Sequence, residues 1–302
     1  MHYLTTIIMI FLTAPGLLLG QGKEYAGPED PAGDIAAERE GYMTGNRVFI
    51  YFRNTTELSD WPRVNVSKWP NNANGLKMTD GIGLLVGAKV YIKDDGNATT
   101  LDTIALTEPA DIYTTNHHTL YYLQTSYREE MDTDPTGTVE WGFYPAFGYF
   151  NETGEYVAQS NLPGSWPSGG WPSTGFGTKW PGEWNGRFGR GVIYADQESY
   201  FVVNDAQDQE YLGAEDNVKY FPRPGRYIGD LKPDVTIQPG VPWGGLGLRV
   251  AVRGFQWNNP QARDAIFWEY SIANISDYDL RDVAFGYWLD NSIGGDGDDD
   301  LG

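Results

Sequence analysis

The end of the chain carries its densest group of side chains that could bind a cation. Five Asp residues fall within residues 290–300, with Gly residues between several of them. Carboxylates this close repel one another unless a cation lies among them. Calcium accepts about six to eight oxygen ligands, which a glycine-rich loop can bring together. The sequence therefore predicts a Ca²⁺ site formed by Asp290, Asp296, Asp298 and Asp300.

The spacing of the last three of these residues partly matches a calcium loop. Asp296, Asp298 and Asp300 alternate like the first three ligands of an EF-hand, but glycine falls at the second place instead of the sixth. Zinc is disfavoured because no His or Cys lies nearby. A solvated acidic turn without a bound ion is the alternative to the Ca²⁺ site.

A second candidate site lies in residues 141–195, which are rich in Trp, Gly, Pro and Ser. Strand periodicity is weak there, and the aromatic content argues against disorder, so we predict a long, irregular but ordered insert. The flat faces of aromatic side chains can stack on sugar rings. The candidate ligand-binding residues are Trp166, Trp171, Trp180 and Trp184. The alternative is that these indoles pack against one another inside the insert.

Paired carboxylates offer a third kind of chemistry. A glycoside hydrolase needs an acid and a base about 5 to 10 Å apart. Four glutamates are available, but nothing in their spacing selects a pair: Glu183, Glu198, Glu210 and Glu269. An extracellular glycoside hydrolase is therefore one alternative, and no catalytic residue is assigned.

The composition limits the partners and the sources of rigidity. The net charge is −20 over 302 residues, and such a surface repels nucleic acid phosphates and anionic lipid headgroups. The chain has no Cys, which excludes disulfides, thiolate metal sites and Cys nucleophiles. Rigidity must therefore come from a hydrophobic core, from bound metal ions, or from both. Apolar residues make up 40% of the chain, which allows a sizeable core.

The N-terminus is typical of an exported protein. Residues 3–19 form an uncharged apolar stretch that ends near Gly20, which predicts a signal peptide over residues 1–20. A Gly-, Pro- and acid-rich linker follows over residues 21–40. The segment before the apolar stretch lacks Lys and Arg, so a retained membrane anchor is the alternative. After cleavage, we expect a secreted or cell-surface protein that is not inserted in a membrane.

The remaining sequence consists of short β-runs separated by turn residues. Residues 246–253 alternate apolar and other side chains, which is the period of a half-buried strand. Residues 83–92 form a continuous apolar run, typical of a strand buried on both faces. Residues 267–273 and 283–289 are joined by a short polar turn, which predicts a β-hairpin.

These patterns predict an all-β fold of antiparallel β-sandwich domains, either immunoglobulin-like or jelly-roll-like. We place the first β-domain at residues 41–140 and the second at residues 196–302, on either side of the insert at 141–195. The chain stops directly after a strand-like run and its Asp loop. We therefore expect the second domain to be truncated.

Three segments carry a resemblance to a known group. They are the Trp-Pro patch followed by residues 83–90, residues 196–205 (DQESYFVVND), and residues 266–302 with their strand–turn–strand–Asp loop order. In these, the chain resembles the large exported β-rich surface proteins of Bacteroidota and related bacteria that are associated with type IX secretion. The resemblance implies an extracellular location, a β-architecture and further C-terminal domains. It implies no activity, because most of that group is uncharacterised, and no sorting domain is present in this sequence.

The sequence thus favours a secreted or cell-surface structural or adhesive protein whose Asp loop is stabilised by Ca²⁺. Its expected partners are surface polysaccharide or other surface proteins. A carbohydrate-binding module that uses the Trp-rich insert is the first alternative, and the glycoside hydrolase is the second.

Overall fold

The computed structural model describes residues 33, 37–60, 66–93, 117–125, 132–133, 140–172, 179–205, 246–274 and 280–294. These residues form fourteen β-strands, every strand pair is antiparallel, and none of the described residues lies in an α-helix. The predicted all-β class is confirmed. In this part of the chain, no helix has the length and apolar character needed to cross a bilayer.

Most of the strands fall into two layers. Their bounds are β1 Glu40–Met43, β2 Phe49–Arg53, β3 Ser67–Lys68, β4 Thr79–Lys93, β5 His117–Thr125, β6 Asp132–Thr133, β7 Glu140–Trp141, β8 Tyr144–Pro145, β9 Asn185–Gly186, β10 Gly189–Arg190, β11 Gln197–Asn204, β12 Leu248–Gln256, β13 Phe267–Asn274 and β14 Arg281–Asn291. One layer has the order β8-β11-β12-β13. The other layer contains two three-stranded sheets, β14-β4-β5 and β1-β2-β3. Leu58 joins these sheets, because it forms β-bridges with Phe52 of β2 and with Ile82 of β4.

The main hydrophobic core lies between these layers. Strand β12 has the predicted period of two, since Leu248, Val250 and Val252 are buried while the residues between them are partly exposed. The opposite layer contributes Phe52, Leu84, Val86 and Ala88, and the neighbouring strand β11 contributes Phe201 and Val203. Burying one large side chain of this kind stabilises a fold by about 1.5 to 3 kcal/mol.

The hairpin predicted from residues 267–273 and 283–289 is wrong. In the described residues, β13 pairs with β12 and β14 pairs with β4, so the two strands lie in opposite layers. Both strands have apolar residues at alternate positions, but those of β14 stay exposed: Val283, Phe285, Tyr287 and Leu289 are 38% to 57% exposed. The rings of Tyr270 on β13 and Tyr287 on β14 lie 5.7 Å apart between centroids.

Strands from both predicted β-domains share this core. Phe52 of β2 lies 6.1 Å from Phe201 and 5.3 Å from Trp268, measured between ring centroids. Strand β14 also pairs with β4 over most of its length. The boundary predicted at residue 196 therefore does not divide the described residues into two separate cores.

Two buried glutamines fix the β1–β2 turn to the opposite layer. Gln197 and Gln256 face each other across β11 and β12. Their side-chain oxygens accept the backbone N–H groups of Thr44 and Gly45 at 2.7 and 2.6 Å. The amide of Gln256 also donates to the side-chain oxygen of Asn46 at 2.9 Å. Because buried polar groups are costly when unpaired, this network specifies how the layers join.

The Trp-rich insert forms a second core on the outer face of β11. The buried members of that core include Ala146, Tyr149, Trp171, Trp184, Tyr200 and Val202. Because the insert covers the outer face of β11 and the main core covers its inner face, every residue of this strand is buried. The insert also contains β8, β9, β10 and a 3-10 turn at Pro163–Ser165, so it has more regular structure than the sequence predicted.

A charge cluster beside β2 is centred on Arg53. Its guanidinium lies 2.8 Å from the carboxylate of Asp60 and 3.4 Å from those of Glu57 and Glu38. Burial acts to lower the pKa of Arg53, but Tyr51, Glu38 and Glu57 raise it above its ordinary value. Asp60 and Glu57 are buried, so Arg53 is the cation that compensates for their desolvation.

Asp205 closes the edge between β11 and β12. Its carboxylate accepts the backbone N–H of Leu246 at 2.7 Å and also that of Leu248. Burial raises the pKa of Asp205 to about 7, although these N–H groups favour the ionised form. The residue therefore links the pairing of these strands to pH.

Candidate ligand-binding site

The predicted calcium ligands are only partly within the described structure. Asp296, Asp298 and Asp300 lie outside the described residues. Asp290 lies near the end of β14, where its backbone carbonyl accepts a hydrogen bond from the Thr79 hydroxyl. The described residues contain no group of three or more His, Asp or Glu side chains placed to hold a metal ion. The Ca²⁺ site therefore stays a prediction.

The four predicted ligand-binding indoles lie together on the outer face of β11. Trp171 and Trp184 are fully buried and meet edge to face, with 5.5 Å between ring centroids. Trp166 and Trp180 are partly buried and pack against them at 5.8 and 6.2 Å. A fully buried indole has no free face for a sugar ring, so Trp171 and Trp184 serve the core. Trp166 and Trp180 keep part of their surface open.

Glu198 holds the segment that follows Trp184 in place. This fully buried carboxylate accepts the indole N–H of Trp184 at 2.6 Å through one oxygen. Its other oxygen accepts the backbone N–H groups of Tyr194 and Ala195. One side chain of β11 therefore fixes both ends of the segment 184–195.

Within that segment, the β9–β10 hairpin reaches over the outer face of β12 and β13. Arg187 and Phe188 form its tip, between Gly186 and Gly189. A Cβ atom at Gly186 would overlap the carbonyl oxygen of Val192, so a larger residue does not fit there. The Nε of Arg187 lies 2.6 and 2.9 Å from the two carboxylate oxygens of Glu269 on β13. The hairpin tip and the sheet therefore meet at this ion pair.

An open pocket of about 230 Å³ lies beside this contact. It is lined by Arg187, Tyr200, Ala251, Arg253, Glu269 and Ser271, all on the hairpin or on the outer faces of β11, β12 and β13. The Arg253 guanidinium lies 3.7 Å above the centroid of the Tyr200 ring. It donates hydrogen bonds to the carbonyl oxygen of Asn185 at 2.6 Å and to its side-chain oxygen at 3.5 Å.

The electrostatics of the pocket contrast with the acidic chain. Burial lowers the pKa of Arg253 below its ordinary value, although Tyr200 and the charges of Glu198 and Glu269 act to raise it; the nearby charge of Arg187 lowers it further. The lining holds two guanidinium groups and one carboxylate, that of Glu269. Two guanidinium groups therefore line one pocket on a protein whose net charge is −20.

Exposed aromatic rings border the pocket, and we call this set the aromatic patch. It consists of Phe188, Tyr194, Trp257 and Phe267, with centroid distances of 4.8 to 5.5 Å between neighbouring rings. Phe188, Tyr194 and Phe267 are 63%, 57% and 47% exposed, so the patch presents its rings to solvent. Phe267 lies two residues before Glu269 on the same face of β13, about 7 Å along the strand.

The four candidate hydrolase carboxylates do not meet. Glu198 is buried beneath the insert, Glu183 pairs with Arg190 on the surface, and Glu210 lies outside the described residues. Glu269 is the one carboxylate that lines the pocket among the residues described. The pocket therefore lacks, within that part of the chain, the pair of carboxylates that a glycoside hydrolase requires.

Sequence reasoning missed the two arginines and most of the aromatic patch. The alternation in residues 246–253 predicts a strand without singling out Arg253, and the Arg187-Phe188 dipeptide carries no motif. One signal was available: Arg249 and Arg253 alternate with buried residues on β12, which places both guanidinium groups on one face. The spacing does not predict that the β9–β10 hairpin lies over that face.

Comparison with known proteins gives no relative from which a role could be transferred. No family model, no curated protein and no solved structure matches the chain. The resemblance to exported Bacteroidota surface proteins stays a prediction. The chemistry of the pocket must be judged from its own side chains.

Proposed function

We propose that the chain is a secreted or cell-surface adhesive protein that binds polysaccharide through the outer face of β12 and β13. The observation that carries this proposal is the aromatic patch beside a pocket of hydrogen-bonding side chains. Ligand sites commonly combine apolar rings with a few polar groups that fix orientation. The apolar N-terminal stretch, typical of a signal peptide, supports an extracellular location.

The aromatic patch supports a carbohydrate ligand more directly than the insert does. Sugar rings have apolar faces that stack on aromatic side chains and hydroxyl groups that need hydrogen-bond partners. Phe267 and Tyr194 offer exposed rings, while Glu269 and Ser271 offer polar groups farther along the same face of β13, the first of them about 7 Å from Phe267. The buried Trp171 and Trp184 support the face from below by holding the hairpin.

The test is to measure binding of a panel of neutral and acidic polysaccharides by intrinsic Trp fluorescence and by affinity electrophoresis. We expect at least one polysaccharide to bind, and the Phe267→Ala variant to bind it about two- to tenfold more weakly. Phe285→Ala is the matched control, because Phe285 is also an exposed Phe on a strand but lies on β14.

Two results would contradict the proposal. One is that no polysaccharide of the panel changes the fluorescence or the mobility of the folded protein. The other is that Phe267→Ala and Phe285→Ala weaken binding equally, which would mean that the aromatic patch is not the contact surface.

A further inference from the structure

One charge in this pocket has no carboxylate in direct contact: Glu198 and Glu269 act on the Arg253 guanidinium through their charges alone. Arg253 is mostly buried, and its partners are a carbonyl oxygen, an amide oxygen and an aromatic ring, all of them neutral. Among the residues described, no carboxylate oxygen lies within 4 Å of its guanidinium. A charge taken out of water in this way is costly unless an opposite charge approaches it.

Arg187 adds a second guanidinium with donors to spare. It contacts both oxygens of Glu269 through the same nitrogen, Nε, so its two terminal nitrogens keep their donors for another acceptor. Its positive charge also opposes that of Arg253, which disfavours the two guanidinium groups in one pocket. An anion between them would relieve this repulsion and would accept hydrogen bonds from both.

The aromatic patch and the two guanidinium groups match the two parts of an acidic sugar, its apolar ring face and its charged substituent. Planar guanidinium groups bind carboxylates and related oxyanions through paired hydrogen bonds. The aromatic patch begins about 7 Å away along β13, close to the length of one sugar unit. A ring on Phe267 would therefore place a charged substituent of the same or the next sugar at Arg187 and Arg253.

We infer that the pocket recognises a sugar bearing one negative charge, either a uronic acid carboxylate or a sulfate ester, within a mainly neutral glycan. This inference rests on the proposed function and names its ligand class. A single charge suits the site because only one of its two guanidinium groups, that of Arg187, contacts a carboxylate. A densely charged polyanion is disfavoured, since the rest of the chain has a strong negative charge.

The experiment compares matched pairs of ligands by isothermal titration calorimetry. Disaccharides of one uronic acid and one neutral sugar are titrated beside their carboxyl-reduced products, and sulfated disaccharides beside their desulfated forms. We expect one acidic form to bind at least about tenfold more tightly than its neutral counterpart. The member of the panel that binds identifies the carboxylate or the sulfate as the recognised group.

Variants then test whether the preference for the acidic ligand arises at the two arginines of the pocket. Arg253→Gln and Arg187→Gln should each remove most of the preference for the acidic form, while binding of the neutral form changes little. Arg249→Gln is the matched control, because it removes the same charge from the same face of β12 without touching the pocket. Should Arg253→Gln fail to fold by circular dichroism, the exposed Arg187 still provides the test.

The outcomes separate the two proposals. Equal binding of acidic and neutral forms would overturn the ligand class and leave the proposed function standing. Loss of preference in Arg249→Gln to the same degree would assign the effect to overall charge and overturn the site. If no sugar of either kind binds while the protein is folded, the proposed function fails along with the inference.

Discussion

The indole N–H of Trp184 donates a 2.6 Å hydrogen bond to the carboxylate of Glu198, and both side chains are fully buried. The same carboxylate accepts two backbone N–H groups from the other end of the segment 184–195. Arg187 and Phe188 lie within that segment. The geometry of the binding face therefore depends on a side chain that does not contact the pocket.

Replacing Glu198 with Gln should destabilise the protein by about 1 to 3 kcal/mol. The amide NH₂ group would face either the Trp184 indole N–H or a backbone N–H, so at least one buried donor would lose its acceptor. Urea unfolding monitored by fluorescence measures the change. Glu183→Gln is the control, because Glu183 lies in an exposed pair with Arg190 that is worth about 0 to 1 kcal/mol. An equal loss of unfolding free energy in the two variants would show that the buried contact stabilises the protein no more than the exposed ion pair does.

Local patterns were sufficient to predict the strands of the main core. Period-two alternation gave β12 with Leu248, Val250 and Val252 inward, because each inward residue loses water and each outward residue keeps it. The pairing of strands was harder to predict. The segments of β13 and β14 are close in sequence and were expected to form a hairpin, yet β13 pairs with β12 and β14 pairs with β4. The period of a strand shows which residues share a face but not which strand it pairs with.

The candidate site was predictable only as a type of chemistry. Aromatic faces that stack on sugar rings were expected, but at the indoles of the insert. Those indoles pack onto β11 because large apolar side chains gain most by full burial, and Trp184 can satisfy its N–H at Glu198. The exposed rings come from a hairpin tip and from β13, positions that are distant in sequence and meet only through tertiary packing.

Replacing Arg53 with Ala should destabilise the protein by about 3 to 5 kcal/mol, because it removes a cation that pairs with buried carboxylates. The affected carboxylates are those of Glu57 and Asp60. Urea unfolding at neutral pH measures the loss. Arg47→Ala is the control, since Arg47 pairs with Asp264 at a surface where both side chains are about 40% exposed. A loss in Arg53→Ala no larger than that in the control would refute a structural role for the cluster.

Calcium should stabilise the protein if the Asp loop binds it as the sequence predicts. A free concentration of about 100 times the dissociation constant would add about 2.7 kcal/mol, or several degrees in melting temperature. Differential scanning fluorimetry with calcium, magnesium or EDTA measures the shift. Exchanging Asp298 and Asp300 for Asn should abolish it, whereas Asp282→Asn, an exposed Asp on β14, should not. An unchanged melting temperature in both calcium and EDTA would refute the site.

Asp205 should make the protein less stable as pH rises from about 4 to about 7. Its folded-state pKa is raised to about 7 by burial, against about 3.9 for an unfolded chain. Between these values the folded state binds more protons than the unfolded state, so the free energy of unfolding falls with increasing pH. One such group contributes at most about 1.4 kcal/mol per pH unit, and its effect levels off on either side of this window.

The measurement is urea unfolding at a series of pH values for the wild type and for Asp205→Asn, which cannot titrate. Because other carboxylates titrate in both proteins, the difference between the two curves isolates Asp205. That difference should decline from pH 4 to pH 7 and then stay constant. A difference that is flat across the series would mean that the N–H groups of Leu246 and Leu248 cancel the effect of burial and leave the pKa of Asp205 at its unfolded-chain value. A difference that rises with pH would mean that they lower its pKa below that of the unfolded chain.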